Sequence, residues 1–109
     1  MRGELLHADR FGNWITSLGR LAEVDGDLDL QPWLPSCAPA RLPSFPRIRA
    51  LLPTGLALPI QRTFADVPPG TVLAYIGSDG LLEIAVRGGS AKATLPLEAG
   101  QEILLTYEA

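Results

Sequence analysis

The sequence is poor in the residues that build disulfides and metal sites, and it has no cluster of basic residues. Cys37 is its only cysteine and His7 its only histidine. One cysteine excludes an intrachain disulfide and a cysteine-based metal site, so we interpret Cys37 as a reduced, partly buried residue. The net charge of −3 without clustered Lys or Arg lacks the electrostatic signature of phosphate-backbone binding. We therefore expect no nucleic-acid partner.

Long apolar runs are also missing. No run approaches the roughly 18 residues that a transmembrane helix needs, and residues 1–4 do not open a signal peptide. We therefore expect no membrane partner and a cytosolic protein. The length of 109 residues, with 47% hydrophobic and 19% charged residues, is typical of one globular domain over residues 1–109 with one modest core.

The clearest structural signal is a hairpin at residues 71–87. Two apolar runs, 71–76 and 81–87, flank Gly77-Ser78-Asp79-Gly80, and the second run carries a single acid, Glu83. Asp-Gly between apolar runs is typical of a tight turn, because glycine adopts positive φ without steric cost. The sequence therefore predicts two antiparallel strands here, followed by a sharp loop at Gly88-Gly89-Ser90 whose amide groups can approach a ligand.

Further strands are predicted by β-branched and aromatic content at residues 3–9, 14–16 and 101–107. Residues 92–95 are predicted to form at most one helical turn, and no window has helical periodicity. The predicted fold class is therefore mostly β, as a small antiparallel β-barrel or barrel-like sandwich.

Proline is concentrated in the middle of the chain, where seven of the ten prolines fall between Pro32 and Pro59. Since proline removes a backbone donor and breaks helices and central strands, we predict a long irregular insertion over residues 31–59. Its large apolar residues predict that it packs on the barrel or on a neighbouring subunit; they are Trp33, Leu34, Phe45, Ile48, Leu51 and Leu52.

Two polar patterns suggest chemistry but have simpler interpretations. Acids alternate with apolar residues at positions 23, 25, 27 and 29, yet the spacing lacks the glycine and distal Glu of a calcium loop, so we expect a solvated loop or strand face and no metal. His7 and Asp9 share a strand face, and such a pair can act as a general base. No supported nucleophile accompanies them, and Ser78 lies in a turn without a nucleophile elbow. We assign no catalytic residue.

Two motifs carry a family resemblance. The first reads Asp9, Arg10, Phe11, Gly12, Asn13, Ile15 and Thr16; the second reads Thr63, Phe64, Asp66, Gly70, Tyr75, Ile76, Ser78, Gly80, Leu82, Ile84, Ala85 and Val86. They resemble the C-terminal domain of the S-adenosyl-L-methionine (SAM) hydrolases, or hydroxide adenosyltransferases, which are relatives of the SAM-dependent fluorinase and chlorinase. The resemblance covers residues 3–16 and 58–107, with a poor fit between them. Trp14 and Ser17 depart from the family pattern, and the bulky Trp14 is expected to fill or narrow a pocket.

The resemblance implies an adenosyl site between the N-terminal domain of one subunit and the C-terminal domain of the next, within a trimer. By matched position, Phe11 and Phe64 flank the adenine and ribose, and Asn13 hydrogen-bonds the adenine edge. Without that context, the two phenylalanines could equally be core residues. Aromatic faces suit a purine, and an amide side chain offers both a donor and an acceptor.

The remaining implied contacts concern the methionine end of the ligand and the far side of the adenine. Asp9 would accept a hydrogen bond from the methionine ammonium, and Ser78 and Asp79 would meet the carboxylate through backbone amides and a hydroxyl. Asp79 stands where halogenases carry Arg, so the backbone would have to bind that carboxylate. Backbone groups of Val86, Arg87 and Gly88 would contact adenine.

The family's N-terminal domain carries the groups that activate water or halide, and the resemblance does not place it in this sequence. We therefore expect an adenosyl-binding half-site that is not a competent enzyme without an N-terminal domain or subunit. No cofactor is implied, and SAM is the expected ligand or substrate. A structural or oligomerisation module that has lost its ligand is the main alternative. A barrel that binds another small molecule is the third.

Overall fold

The computed structural model describes residues 2–31 and 39–107, which fold mainly into β-strands. Helical structure in these residues is limited to two single 3-10 turns, Phe45–Arg47 and Phe64–Asp66, and one α-helical turn. The elements are β1 (Arg2–Ala8), β2 (Trp14–Val24), β3 (Asp27–Gln31), β4 (Ala40–Leu42), β5 (Ile48–Leu51), β6 (Ala57–Gln61), β7 (Val72–Ile76), β8 (Leu81–Val86), α1 (Ala91–Thr94) and β9 (Glu102–Tyr107).

Seven of these strands close into a barrel. The sheet order is β1-β9-β5-β6-β7-β8-β2-β3-β4, and an additional pairing of β1 with β2 joins the ring. The hairpin partner β3 and the short strand β4 extend the sheet beyond the closure. The mostly β, barrel-like prediction is confirmed, but the sheet is not purely antiparallel. β6 and β7 pair in parallel, with Ile60 opposite Ala74.

The predicted hairpin is present with nearly the predicted bounds. β7 and β8 pair antiparallel, the Gly77 amide donates to the Leu81 carbonyl at 2.8 Å, and Gly80 takes a φ of +80°. A second Asp-Gly turn, at Asp25-Gly26, joins β2 to β3 with positive φ at both residues. The acids around that turn therefore lie on and between two hairpin strands, as the strand-face interpretation allowed.

The prediction of an irregular segment over residues 31–59 is wrong where its described part forms strands. β4, β5 and the start of β6 lie within it, because four of its five described prolines, Pro39, Pro43, Pro46 and Pro53, fall outside the strands. Pro59 lies within β6, opposite Arg49 of β5. Pro53 occupies the second position of the turn that the Gly55 amide closes onto the Leu52 carbonyl, a favoured site for proline. Pro46 is the second residue of the 3-10 turn Phe45–Arg47. Residues 32–38, with Trp33, Leu34 and Cys37, lie outside the described part.

The barrel interior is a single main cluster of buried side chains. It includes Leu5, Leu28, Ile48, Leu82 and Ile84, none more than 1% exposed. The predicted packing of the middle segment onto the barrel is confirmed for Phe45, Ile48 and Leu52, which are buried in the same cluster. In the described residues, no helix is long and apolar enough to cross a membrane.

Candidate functional site

Two adjoining depressions form an open groove at one edge of the barrel. The first has a volume of about 460 Å³ and lies between the turn after β1 and the loop after β8; it is lined by Phe11, Asn13, Val86, Arg87, Gly88 and Gly89. The second has a volume of about 550 Å³ and shares Phe11 and Asn13 with the first. It extends past Asp9 to the β7–β8 turn at Ser78 and Asp79. We call the two together the groove.

The turn at residues 9–13 is built around one carboxylate. Asp9 Oδ1 accepts hydrogen bonds from the backbone amides of Phe11, at 2.9 Å, and Asn13, at 3.0 Å. The Asp9 amide donates to the Asn13 carbonyl, and the Gly12 amide donates to the Asp9 carbonyl, each at 2.9 Å. Asp9 therefore shapes the turn that presents Phe11 and Asn13, a role that the sequence did not predict for it.

Phe11 and Asn13 have contrasting environments at the centre of the groove. Phe11 is 64% exposed, which rules out the core interpretation left open for it. The Arg10 guanidinium lies 4.8 Å from its ring centroid. Asn13 is buried, at 8% exposure, and lines both depressions. An exposed aromatic ring beside a buried amide provides a flat apolar surface together with a donor and an acceptor.

The loop after β8 forms the opposite wall. The Arg87 amide donates to the Thr71 carbonyl at 3.0 Å, and its carbonyl accepts from the Gly70 amide at 2.8 Å. The Arg87 guanidinium donates to the Val67 carbonyl. Gly88 follows at a φ of +75°, with nothing within 4 Å of the position a Cβ would take. Because the amide, carbonyl and guanidinium of Arg87 all make hydrogen bonds within the protein, the backbone of Gly88 is more accessible to a ligand.

The far end of the groove is acidic. The Tyr75 hydroxyl donates to Glu83 Oε1 at 2.9 Å across the β7–β8 pair. Burial raises the pKa of the Glu83 carboxyl, and the charges of Asp9 and Asp79 raise it further against the opposing effect of the Tyr75 hydrogen bond. Burial, the hydrogen bond to Glu83 and nearby negative charge raise the pKa of Tyr75. Three carboxylates thus share this end.

Sequence reasoning missed Tyr75 and Glu83 as groove residues. The available signal was Glu83 itself, the single acid in an otherwise apolar strand. A Cβ on Gly77 would lie 1.9 Å from Glu83 Oε2, so the absence of a side chain at Gly77 leaves room for this carboxylate. The Asp79 carboxylate lies in the same acidic end, which disfavours a ligand carboxylate and favours a ligand cation.

The groove gathers most of the predicted site residues in one place. Those that line it are Asp9, Phe11, Asn13, Ser78, Asp79, Val86, Arg87 and Gly88. Phe64 begins a 3-10 turn, and its side chain lies outside the described part of the structure. In that turn Asp66 Oδ2 accepts from the amides of Arg62 and Thr63, so this motif residue has a structural role.

Trp14 does not narrow the groove, contrary to expectation. It is 4% exposed and belongs to the barrel core. Trp14 and Thr16 are two residues apart on β2 and therefore share its inner face. Trp14 Nε1 and Thr16 Oγ1 are both buried and have no hydrogen-bond partner among the described residues.

Replacing Glu83 with Gln tests the acidic end. Ionised Glu83 is less favourable in the folded than in the unfolded chain, because its folded pKa is raised above its ordinary value of 4.5. Its ionisation therefore destabilises the fold at neutral pH, and this effect fades as the pH falls through the folded pKa. Glu83→Gln retains an acceptor for Tyr75, so we expect a gain of less than about 1 kcal/mol at pH 7.

The measurement is urea unfolding at pH 7 and again near the ordinary carboxylate pKa of 4.5. The gain is expected to shrink at the lower pH. Tyr75→Phe is the control that removes the hydrogen bond but keeps the charge, and it should not stabilise the protein. A Glu83→Gln variant that is less stable at pH 7 would show that the carboxylate is well accommodated when ionised.

The fold and groove define a small closed β-barrel domain with an open cleft lined by turns and by residues of the neighbouring strands. Residues 3–104 match the family model of the SAM hydroxide adenosyltransferase C-terminal domain. The chain therefore belongs to this family, and the match runs through the middle segment, where the sequence motifs had suggested a poor fit.

Similar proteins are longer than this chain. The (R)-S-adenosyl-L-methionine hydrolase of Thermus thermophilus is 39% identical over 103 residues, which are 94% of this chain and 31% of that protein. The protein of the same name from Salinispora arenicola is 42% identical over 45 residues, which are 41% of this chain and 17% of that protein. The chain thus spans about a third of the Thermus relative.

Solved structures agree with this assignment. A conserved hypothetical protein from Thermus thermophilus superposes with a TM-score of 0.68 at 38% identity, covering 96% of this chain and 34% of that one. An uncharacterised conserved protein from Thermotoga maritima superposes with a TM-score of 0.62 at 24% identity, covering 96% of this chain and 35% of that one. The second likeness shows the fold alone.

Proposed function

We propose that the chain provides one half of an adenosyl-binding site and requires an N-terminal SAM hydrolase domain or subunit to act on SAM. The observation that carries the proposal is that the exposed Phe11, the buried Asn13 and the Gly88 backbone line one depression. Adenine would stack on Phe11 and hydrogen-bond to Asn13 and to the Gly88 backbone.

The acidic end extends the proposal to the charged part of SAM. Asp9, Asp79 and Glu83 lie where the adenosyl group would carry its sulfonium and amino-acid portion. Their negative field favours the sulfonium and the ammonium of the ligand. The ligand carboxylate would then bind backbone donors of the β7–β8 turn near Ser78, away from the acid side chains.

The openness of the groove sets the expected affinity. A surface that contacts one side of a purine forgoes much of the apolar burial of an enclosed pocket. We therefore expect millimolar binding of adenosine by the chain alone, about 4 kcal/mol, and binding about a thousandfold tighter once a second domain covers the groove. A homotrimer with one cleft at each subunit boundary, by analogy with the family, would supply that cover.

Saturation-transfer NMR with adenosine tests the binding. We expect transfer to the adenine protons in the presence of the wild-type chain, and its loss in Asn13→Ala, which removes the amide at the centre of the groove. Leu6→Ala, at an exposed residue of β1 outside the groove, is the matched control and should bind as the wild type does. No transfer to the wild-type chain at about 10 mM adenosine, ten times the expected Kd, would favour the structural module.

The same chain is expected not to convert SAM to adenosine and methionine. Among the described residues, the groove holds one histidine, His7, and no hydroxyl or thiol hydrogen-bonded to it. Chromatography of the reaction mixture is expected to show adenosine only at the level of a control without protein. Adenosine above that level, and abolished by Asn13→Ala, would refute this part of the proposal.

A further inference from the structure

Gly12 and Ser90 lie against each other beside the groove, each next to residues that line it. They lie on its two walls, since Gly12 is in the turn after β1 and Ser90 is the N-cap of α1, directly after the Gly88-Gly89 loop. A Cβ built on Gly12 would lie 1.9 Å from Ser90 Oγ, 2.7 Å from Ser90 Cβ and 3.1 Å from Ser90 Cα. No side chain fits between the two walls at this point.

Hydrogen bonds hold each wall in place at the same contact. The Lys92 amide donates to the Gly12 carbonyl at 2.9 Å, which ties α1 to the turn. The Ser90 hydroxyl accepts from the Ala93 amide at 3.2 Å, which fixes the start of α1. On the other wall, Asp9 Oδ1 holds the amides on either side of Gly12. Each loop is held by its own hydrogen bonds, so the gap between them depends on the Gly12–Ser90 contact and the Lys92–Gly12 hydrogen bond beside it.

We infer that Gly12 and Ser90 are positioning residues that set the width of the groove between Phe11 and Gly88. Neither residue has to touch the ligand for this role. The inference rests on the proposed adenosyl site and adds what determines its spacing. An aromatic ring and a backbone amide can contact the same purine only when they are a fixed distance apart, because stacking and hydrogen bonding act over short distances.

The first test is Gly12→Ala. The variant combines two effects, backbone strain at a φ of +82° and the collision with Ser90. Gly26→Ala is the matched control, because Gly26 has a φ of +81° and nothing within 4 Å of its Cβ position. Both variants should lose similar stability from strain. Only Gly12→Ala is expected to weaken adenosine binding, by roughly tenfold, which is the size of one lost polar or stacking contact.

Second-site changes at Ser90 remove the collision with residue 12 in steps. In the Gly12→Ala background, Ser90→Ala removes the hydroxyl but leaves Cβ in collision, whereas Ser90→Gly leaves only the Cα at 3.1 Å. Binding should recover more with Gly than with Ala, although both lose the N-cap and neither relieves the strain at residue 12. This order of recovery separates spacing from general stability.

The outcomes separate the inference from the proposed function. If the wild-type chain does not bind adenosine, the proposed function is wrong, and this inference, which depends on it, is wrong too. If the wild type binds and Gly12→Ala binds equally well, the adenosyl site stands and the positioning role is wrong. If Gly26→Ala loses binding as Gly12→Ala does, or if Ser90→Gly gives no recovery, the loss comes from stability and the inference is overturned.

Discussion

Ile84→Ala is expected to lower the free energy of unfolding by about 3 kcal/mol, within the range of roughly 2–5 kcal/mol for such truncations in a packed core. Ile84 is fully buried on β8 and lies opposite Trp14 on β2 and Ala74 on β7. These are central strands of the closed barrel, so the cavity left by the truncated side chain has few ways to collapse. The loss corresponds to more than about a hundredfold change in the folding equilibrium.

Urea unfolding monitored by tryptophan fluorescence gives the measurement, with Leu6→Ala as the control. Leu6 has the same number of carbon atoms but is 43% exposed, so its truncation should cost less than about 0.5 kcal/mol. If Ile84→Ala cost less than about 1 kcal/mol, the side chain would not be part of a tightly packed interior, and the strand pairing that buries it would be wrong.

Asp9→Ala is expected to have the second large effect, a loss of about 2 kcal/mol in stability together with loss of adenosine binding. The substitution removes the acceptor for the amides of Phe11 and Asn13. The turn that carries Phe11 and Asn13 then loses the hydrogen bonds that fix its conformation. Asp9→Asn is the matched control, because its amide oxygen can accept the same hydrogen bonds without the charge.

The two variants separate the structural and electrostatic roles of Asp9. We expect Asp9→Asn to keep most of the stability and the adenosine affinity and to bind SAM more weakly than the wild type, since only SAM carries a positive charge. Denaturant unfolding and ligand-detected NMR with both ligands provide the comparison. An Asp9→Ala variant of wild-type stability would contradict the turn geometry, and equal SAM binding by Asp9→Asn and wild type would argue against an electrostatic role.

Local turn chemistry predicted the hairpin, and the short, turn-rich strands predicted a barrel but not the order of its strands. Asp79-Gly80 lies between two apolar runs, and the strands formed almost at the predicted bounds. Asp25-Gly26 carries the same signal and could have been used to predict β2 and β3. The parallel pairing of β6 with β7 depends on contacts across the fold, and the prolines at residues 53 and 59 masked the pairing of β5 with β6.

The site could be predicted in part, because its motif residues cluster in two short stretches. The sequence could not say whether Phe11 is core or exposed, since a lone aromatic residue beside a glycine occurs in both settings. Glu83 and Tyr75 were missed because their contact depends on the hairpin register. A slip of one residue would place the two side chains on opposite faces of the sheet.

The central claim is that adenosine binds in the groove between the turn after β1 and the loop after β8. Amide chemical-shift mapping of the isotope-labelled chain, titrated with adenosine to about ten times the expected millimolar Kd, tests it most directly. We predict shifts centred on Phe11, Asn13 and Gly88 that disappear in Asn13→Ala. Shifts centred on another face of the barrel, or none at the highest concentration, would contradict the claim.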